Sequence, residues 1–178
     1  WIFMWAFVLI AGAGAGLAVD GQAAVSAVYQ RSGEIVLARR LDGRWDRQVL
    51  AESGASGAPA MAVDAQGKLR IAYLAADGAL VSMTDRDGGW TSAVVDPAAG
   101  FLPGASGVAV AVDPSGFAHL AYYRCGAVGG GKCPAGDLVH ATDKHGPWET
   151  QTLDAAGDVG LRPAIFAAPD GRVHVTYY

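Results

Sequence analysis

The chain has 178 residues, enough for one domain of ordinary size, and with 52% hydrophobic against 17% charged residues it is not a disordered polymer. Its 25 glycines follow no G-X-Y period, so collagen is excluded and frequent turns are expected. A net charge of −4 argues against a nucleic-acid partner.

Trp1–Val19 carry no charge. Trp1–Ile10 are apolar on every face, which suits a signal-peptide core or a membrane anchor, and Ala11–Ala15 supply the small residues that signal peptidase accepts. No basic residue precedes them. The same residues also suit the last strand of a preceding unit, so residues 1–16 are read as signal, anchor or strand. No later window is long and apolar enough to span a bilayer, and membrane contact is expected only through this segment.

Beyond it the chain repeats. LAVDGQAAVSAVYQ (17–30), MAVDAQGKLRIAYL (61–74), VAVDPSGFAHLAYY (110–123) and FAAPDGRVHVTYY (166–178) align on their key part. Asp20, Asp64 and Asp113 correspond, with Ala168 in the fourth copy, and so do Tyr29, Tyr73, Tyr122 and Tyr177. A second block follows the first three copies: EIVLARRLDGRW (34–45), ALVSMTDRDGGW (79–90) and DLVHATDKHGPW (137–148), aligning Trp45, Trp90 and Trp148. Successive copies are 44, 49 and 55 residues apart, a period that suits propeller blades.

Each copy reads as four short strands. In the second they are Ala60–Asp64, Lys68–Leu74, Ala79–Asp85 and Trp90–Val95, separated by Asp- and Gly-containing turns. Leu69, Ile71 and Tyr73 alternate with Arg70, Ala72 and Leu74, so both faces are mostly apolar, as stacked sheets require. The fourth strand is more polar (Asp46, Arg47, Gln48; Glu149, Thr150, Gln151) and is read as the outer edge. With no helical periodicity, the fold class expected is all-β: a β-propeller fragment of about three and a half antiparallel blades. The blades are read at about 17–54, 55–102, 103–161 and, for the half blade, 162–178.

The segments AVAVDPSGFAHLAYY and GDLVHATDKHGPWETQTLDAAGDVG resemble the repeat of bacterial secreted β-propeller proteins over residues 12–178. Thr84–Trp90 and Thr142–Trp148 also resemble degenerate sialidase Asp-boxes, Ser-x-Asp-x-Gly-x-x-Trp, with the spacing one residue off. The resemblance implies an exported protein: extracellular, periplasmic or on the cell surface.

Cys125 and Cys133 lie in an insertion of about nine residues that the first two repeats lack. Seven residues between two cysteines in a Gly-rich hairpin loop suit a disulfide, and export favours its oxidation. Free thiols or half a zinc site are the rival, but no CxxC pair accompanies them.

In a meander the first-to-second and third-to-fourth turns share one end of the blade. The second-to-third turns and the links share the other, and that end holds all the length variation. A binding site is therefore expected among those longer loops, with Phe101, Arg124, Lys132 and Arg162 as candidates.

The remaining chemistry reads as structural. His119 and His174 share one repeat position and are read as packing residues between blades. Asp20, Asp64 and Asp113 stand alone before turns and suit Asx-turns, not calcium. Trp45, Trp90 and Trp148 are read as blade core. A sialidase needs an arginine cluster, a Tyr–Glu pair and an acid, yet only Glu34, Glu52 and Glu149 are present, each in an outer strand, hairpin start or link. GAGAG at 12–16 lacks the Lys-Ser/Thr and helix of a phosphate loop. The sequence thus points to a non-catalytic binding or scaffold module without cofactor or metal, for a glycan or protein ligand. The alternative is a piece of a sialidase-like hydrolase whose catalytic residues lie elsewhere.

Overall fold

The computed structural model describes residues 15–52, 54–100, 107–125 and 133–178. Among these, all regular structure is β-strand. The first sheet contains β1 (Ala15–Val19), β2 (Val25–Arg31), β3 (Glu34–Leu41) and β4 (Arg44–Ala51). The second contains β5 (Ala55–Val63), β6 (Leu69–Ala75), β7 (Leu80–Thr84) and β8 (Thr91–Asp96). The third contains β9 (Val108–Val112), β10 (Ala118–Arg124), β11 (Asp137–Thr142) and β12 (Glu149–Asp154), and β13 (Ala164–Ala167) with β14 (Val173–Thr176) makes a half-sheet. Strand order follows chain order in every sheet, and every pairing is antiparallel. This is the all-β architecture of three and a half blades that the repeats predict. The uncharged segment 1–14 lies outside the described residues; β1 already begins at Ala15.

The turns form for the reason read in the sequence. Asp20 Oδ1 accepts the N–H groups of Gln22 and Ala24, both at 2.9 Å. Asp64 Oδ1 accepts those of Gln66 and Lys68 at 2.9 and 2.8 Å, and Asp113 Oδ1 those of Ser115 and Phe117 at 2.9 and 3.0 Å. Each carboxylate satisfies two turn amides that no strand partner reaches. The registers repeat as well. A bulge between third and fourth strands falls at Ile35/Val36, Leu80/Val81 and Leu138/Val139, equivalent positions in the three sheets.

Alternation along the second strand divides the core between two junctions. Leu69, Ile71 and Tyr73 pack on the first sheet with Val28, Ile35 and Leu37. Ala72 and Leu74 face the third sheet with Val110, Leu120 and Tyr122. Burying each Leu or Ile side chain contributes roughly 1.5–3 kcal/mol, so the sheets depend on their neighbours for stability. The innermost strands β1, β5 and β9 lie side by side, with β13 next to β9. Gly16 permits this approach: a Cβ there would stand 3.0 Å from the Met61 nitrogen and 3.1 Å from Val28 Cγ1.

The outer strands are exposed, as their polarity implies: β4 from Arg44 to Val49 and β12 from Glu149 to Leu153. One expectation is corrected. Trp90 packs on the first junction and Trp148 on the second, but Trp45 is 47% exposed and is not a core residue. Each packed tryptophan reaches back toward the preceding sheet, and no sheet precedes the first among the described residues.

Candidate functional site

The links and the second-to-third turns gather at one end of the sheets, fastened by a repeated backbone ladder. In the first junction the Ala55 N–H donates to the Gly33 carbonyl at 3.0 Å, and the Ala76 N–H donates to that of Gly54. In the second, the Gly100 N–H donates to Gly78 at 2.9 Å and the Cys125 N–H to Ala99 at 2.8 Å. In the third, the Val159 N–H donates to Gly136 at 3.0 Å. There the Tyr178 N–H, just past β14, donates to the Leu161 carbonyl at 3.0 Å, so in all three junctions the link is bonded both to the turn of its own sheet and to the next sheet.

Side chains lock the second junction further. The Tyr122 hydroxyl, fully buried at the end of β10, donates to Asp96 Oδ2 at 2.6 Å. Arg124 Nε donates to the same oxygen at 2.7 Å, and its Nη2 donates to the Tyr122 hydroxyl oxygen at 3.1 Å. The other oxygen, Asp96 Oδ1, accepts the Ala98 N–H at 2.9 Å. Burial pushes the Asp96 carboxyl up, but Tyr122, Ala98 and Arg124 outweigh it and hold it below the ordinary carboxylate value. Burial and Asp96 together push the Tyr122 hydroxyl well up.

The neighbouring residue serves the other face. The Tyr123 hydroxyl donates to Asp158 Oδ1 at 2.5 Å, and the Gly136 N–H donates to the same oxygen at 3.1 Å. Burial first, then Asp158, push Tyr123 up to about 12. Gly136 must be glycine, because a Cβ there would stand 2.1 Å from the Tyr123 ring. Cys125 and Cys133 form a disulfide, so the inserted loop is closed at its root.

Of the loop residues singled out in the sequence, Arg124 is built into this network. Its side chain stays 26% exposed, with guanidinium donors left over. Arg162 is exposed at the same end, in the link before β13, with a φ of 49°. Phe101 and Lys132 lie outside the described residues. The acceptors Asp96 and Asp158 escaped the sequence reading. The recurrence of Asp at the ends of VVD (94–96) and TLD (152–154) was the available signal for Asp96; no repeat marks Asp158.

Two histidines meet, but His119 and His174 do not. His119, 5% exposed, places Nδ1 3.1 Å from His140 Nε2 and Nε2 3.4 Å from Asp113 Oδ2, with its ring stacked on His140. Burial, then His119, push His140 down. His174 stacks instead on the exposed Phe166. The Asp-box-like segments are structural too: Asp85 Oδ1 accepts the Leu69 N–H and Asp143 Oδ1 the Ala118 N–H, each at 2.7 Å.

No protein-family model and no curated protein matches the sequence. Solved structures do match. The NanB sialidase from Streptococcus pneumoniae superposes with a TM-score of 0.59 at 16% identity, over 89% of this chain and 26% of that one. The Aleuria aurantia lectin in complex with Fucα1-6GlcNAc gives 0.58 at 14% identity, over 97% of this chain and 62% of that one. A fucose lectin from Kordia zhangzhouensis in complex with methyl-fucoside gives 0.51 at 15% identity, over 78% of this chain and 97% of that one. The chain therefore spans about a quarter of the sialidase, and at these identities the likeness is one of fold: the β-propeller.

Proposed function

We propose that the chain is a non-catalytic, exported β-propeller module that binds glycans at the end carrying its links and inserted loop. One observation carries this reading: the variable loops stand on a junction locked by backbone ladder, disulfide and the Tyr122–Asp96–Arg124 network. Fixing the residues that flank the loops lowers the ordering cost of binding. The lectin neighbours bind fucosides on the same fold. The disulfide fits an oxidising compartment. The hydrolase alternative draws on the Asp-box-like turns, but Asp85 and Asp143 there cap strand amides, which supports architecture and not chemistry.

The test is a screen of the full chain against an array of fucosylated and sialylated glycans, followed by calorimetry on the best ligand. Saturable binding is expected, weakened several-fold or more by Arg162→Ala and Lys132→Ala and by reduction of the disulfide. Binding without release of free sugar over hours supports the module. Steady release of sugar overturns it in favour of a hydrolase, and binding to no glycan removes the glycan assignment.

A further inference from the structure

The link of the third junction departs from its sister links. The amide that bonds to the turn of its own sheet belongs to Ala55, Gly100 and Val159 in the three links, and the residue before it is Gly54, Ala99 and Asp158. At the end of the second strand Gln30, Leu74 and Tyr123 correspond. The third junction thus puts a carboxylate and a tyrosine where the other two have uncharged residues without a phenol. Tyr123 is fully buried and spends its hydroxyl on Asp158 Oδ1, which also accepts the Gly136 N–H. Asp158 itself is exposed, and its Oδ2 is bonded by no described residue. Asp96, the lock of the second junction, differs on both counts: it is buried and both of its oxygens are used.

Arg162 lies further along the same link and is exposed as well. Its φ of 49° is in the left-handed region that favours glycine, so the backbone there is strained for the sake of a side chain. The residues between Asp158 and Arg162 are fixed. The Val159 N–H donates to the Gly136 carbonyl at 3.0 Å, the Gly160 N–H to the Tyr178 carbonyl at 3.2 Å, and Leu161 exchanges both its backbone bonds with Tyr178 at 3.0 Å each. Asp158 and Arg162 therefore flank a clamped stretch, one offering an acceptor and the other donors, and among the described residues they form no ion pair with each other.

We infer that Asp158 and Arg162 set the ligand class of the loop end as uncharged glycans, whose hydroxyls donate to Asp158 Oδ2 and accept from the Arg162 guanidinium. This rests on the glycan reading above and adds to it the charge of the ligand and the residues that select it. A hydroxyl is donor and acceptor at once, so it suits both residues, and bonds to charged partners are the strong ones. A glycan carboxylate suits Arg162 alone and meets a like charge at Asp158. Arg124 does not offset that repulsion, because Asp96 already takes its charge. Asp137 adds to the negative field: after burial and Asp158, it too pushes the Tyr123 hydroxyl up.

The experiment compares the full chain on an array that carries each oligosaccharide in a neutral and a sialylated form, with fucosyllactose and sialyllactose as the soluble pair for calorimetry. The neutral forms are expected to bind at least about tenfold more tightly. Asp158→Asn keeps an oxygen for Tyr123 and Gly136 but removes the charge. It is expected to weaken neutral glycans about tenfold, the loss of one charge-assisted bond, and to narrow the preference against sialylated ones. Arg162→Gly suits the backbone and removes the donors. It is expected to weaken neutral glycans by a similar factor while the urea unfolding midpoint holds or rises, which a merely structural arginine would not do. Sialylated forms bound as tightly as neutral ones, or neutral affinity unchanged in both variants, overturns this assignment and leaves glycan binding standing. Binding to no glycan on the array overturns the reading beneath it, and the assignment with it.

Discussion

The first and second junctions are built from the same repeat and the same apolar alternation, yet they are closed differently. In the second, Tyr122 donates to Asp96 across the junction and Arg70 plugs the far end. In the first, Tyr73 is equally an inward tyrosine, 8% exposed, but the residue in register with Ile35, as Asp96 is with Leu80, is Ala51. Among the described residues no carboxylate meets its hydroxyl there, and Ser26 is small at the far end. The third junction is intermediate, since Tyr177 donates to Asp154 at 2.7 Å but is 45% exposed. The apolar positions set how the sheets stack. The polar positions beside them are tuned junction by junction.

The largest effect that breaks this contrast is expected from Asp96→Ala. It strips the acceptor from a buried hydroxyl and leaves Arg124 without its carboxylate, at a cost of about 2–3 kcal/mol in urea unfolding. Because the folded Asp96 is held below its ordinary value, its contribution is present above that value and is lost as pH falls through the acid range. The wild-type advantage over the variant is therefore expected to shrink below about pH 4. An unchanged midpoint at neutral pH removes the lock.

Ala51→Asp sharpens the same contrast from the other side. It offers Tyr73 the acceptor that Tyr122 has, and a gain of about 0.5–1.5 kcal/mol is expected at neutral pH, with none in a Tyr73→Phe background. A gain that survives Tyr73→Phe shows that the new carboxylate acts elsewhere. The smallest effect is expected from Tyr177→Phe, because water competes for an exposed hydroxyl. Its unfolding midpoint should match wild type within error, while Tyr122→Phe should lower it measurably. Equal losses would show that burial does not govern the strength of this bond.

Much of this protein was legible in the sequence because a period-two pattern has one physical solution when both faces are apolar. Leu69, Ile71 and Tyr73 had to face one sheet and Ala72 and Leu74 another, and the turns at Asp20, Asp64 and Asp113 carry their own local chemistry. The disulfide followed from a short spacing in a hairpin loop. What only the tertiary structure decided lies between sheets. Trp45 matches Trp90 and Trp148 in the repeat, yet it is exposed, because its packing depends on a neighbouring sheet and not on its own strand. The pairing of Tyr122 with Asp96, residues 26 apart, depends on register across a junction. A repeat aligns residues with their equivalents in other blades; the contacts that lock a junction or open a site join non-equivalent residues, and those are set when the sheets stack.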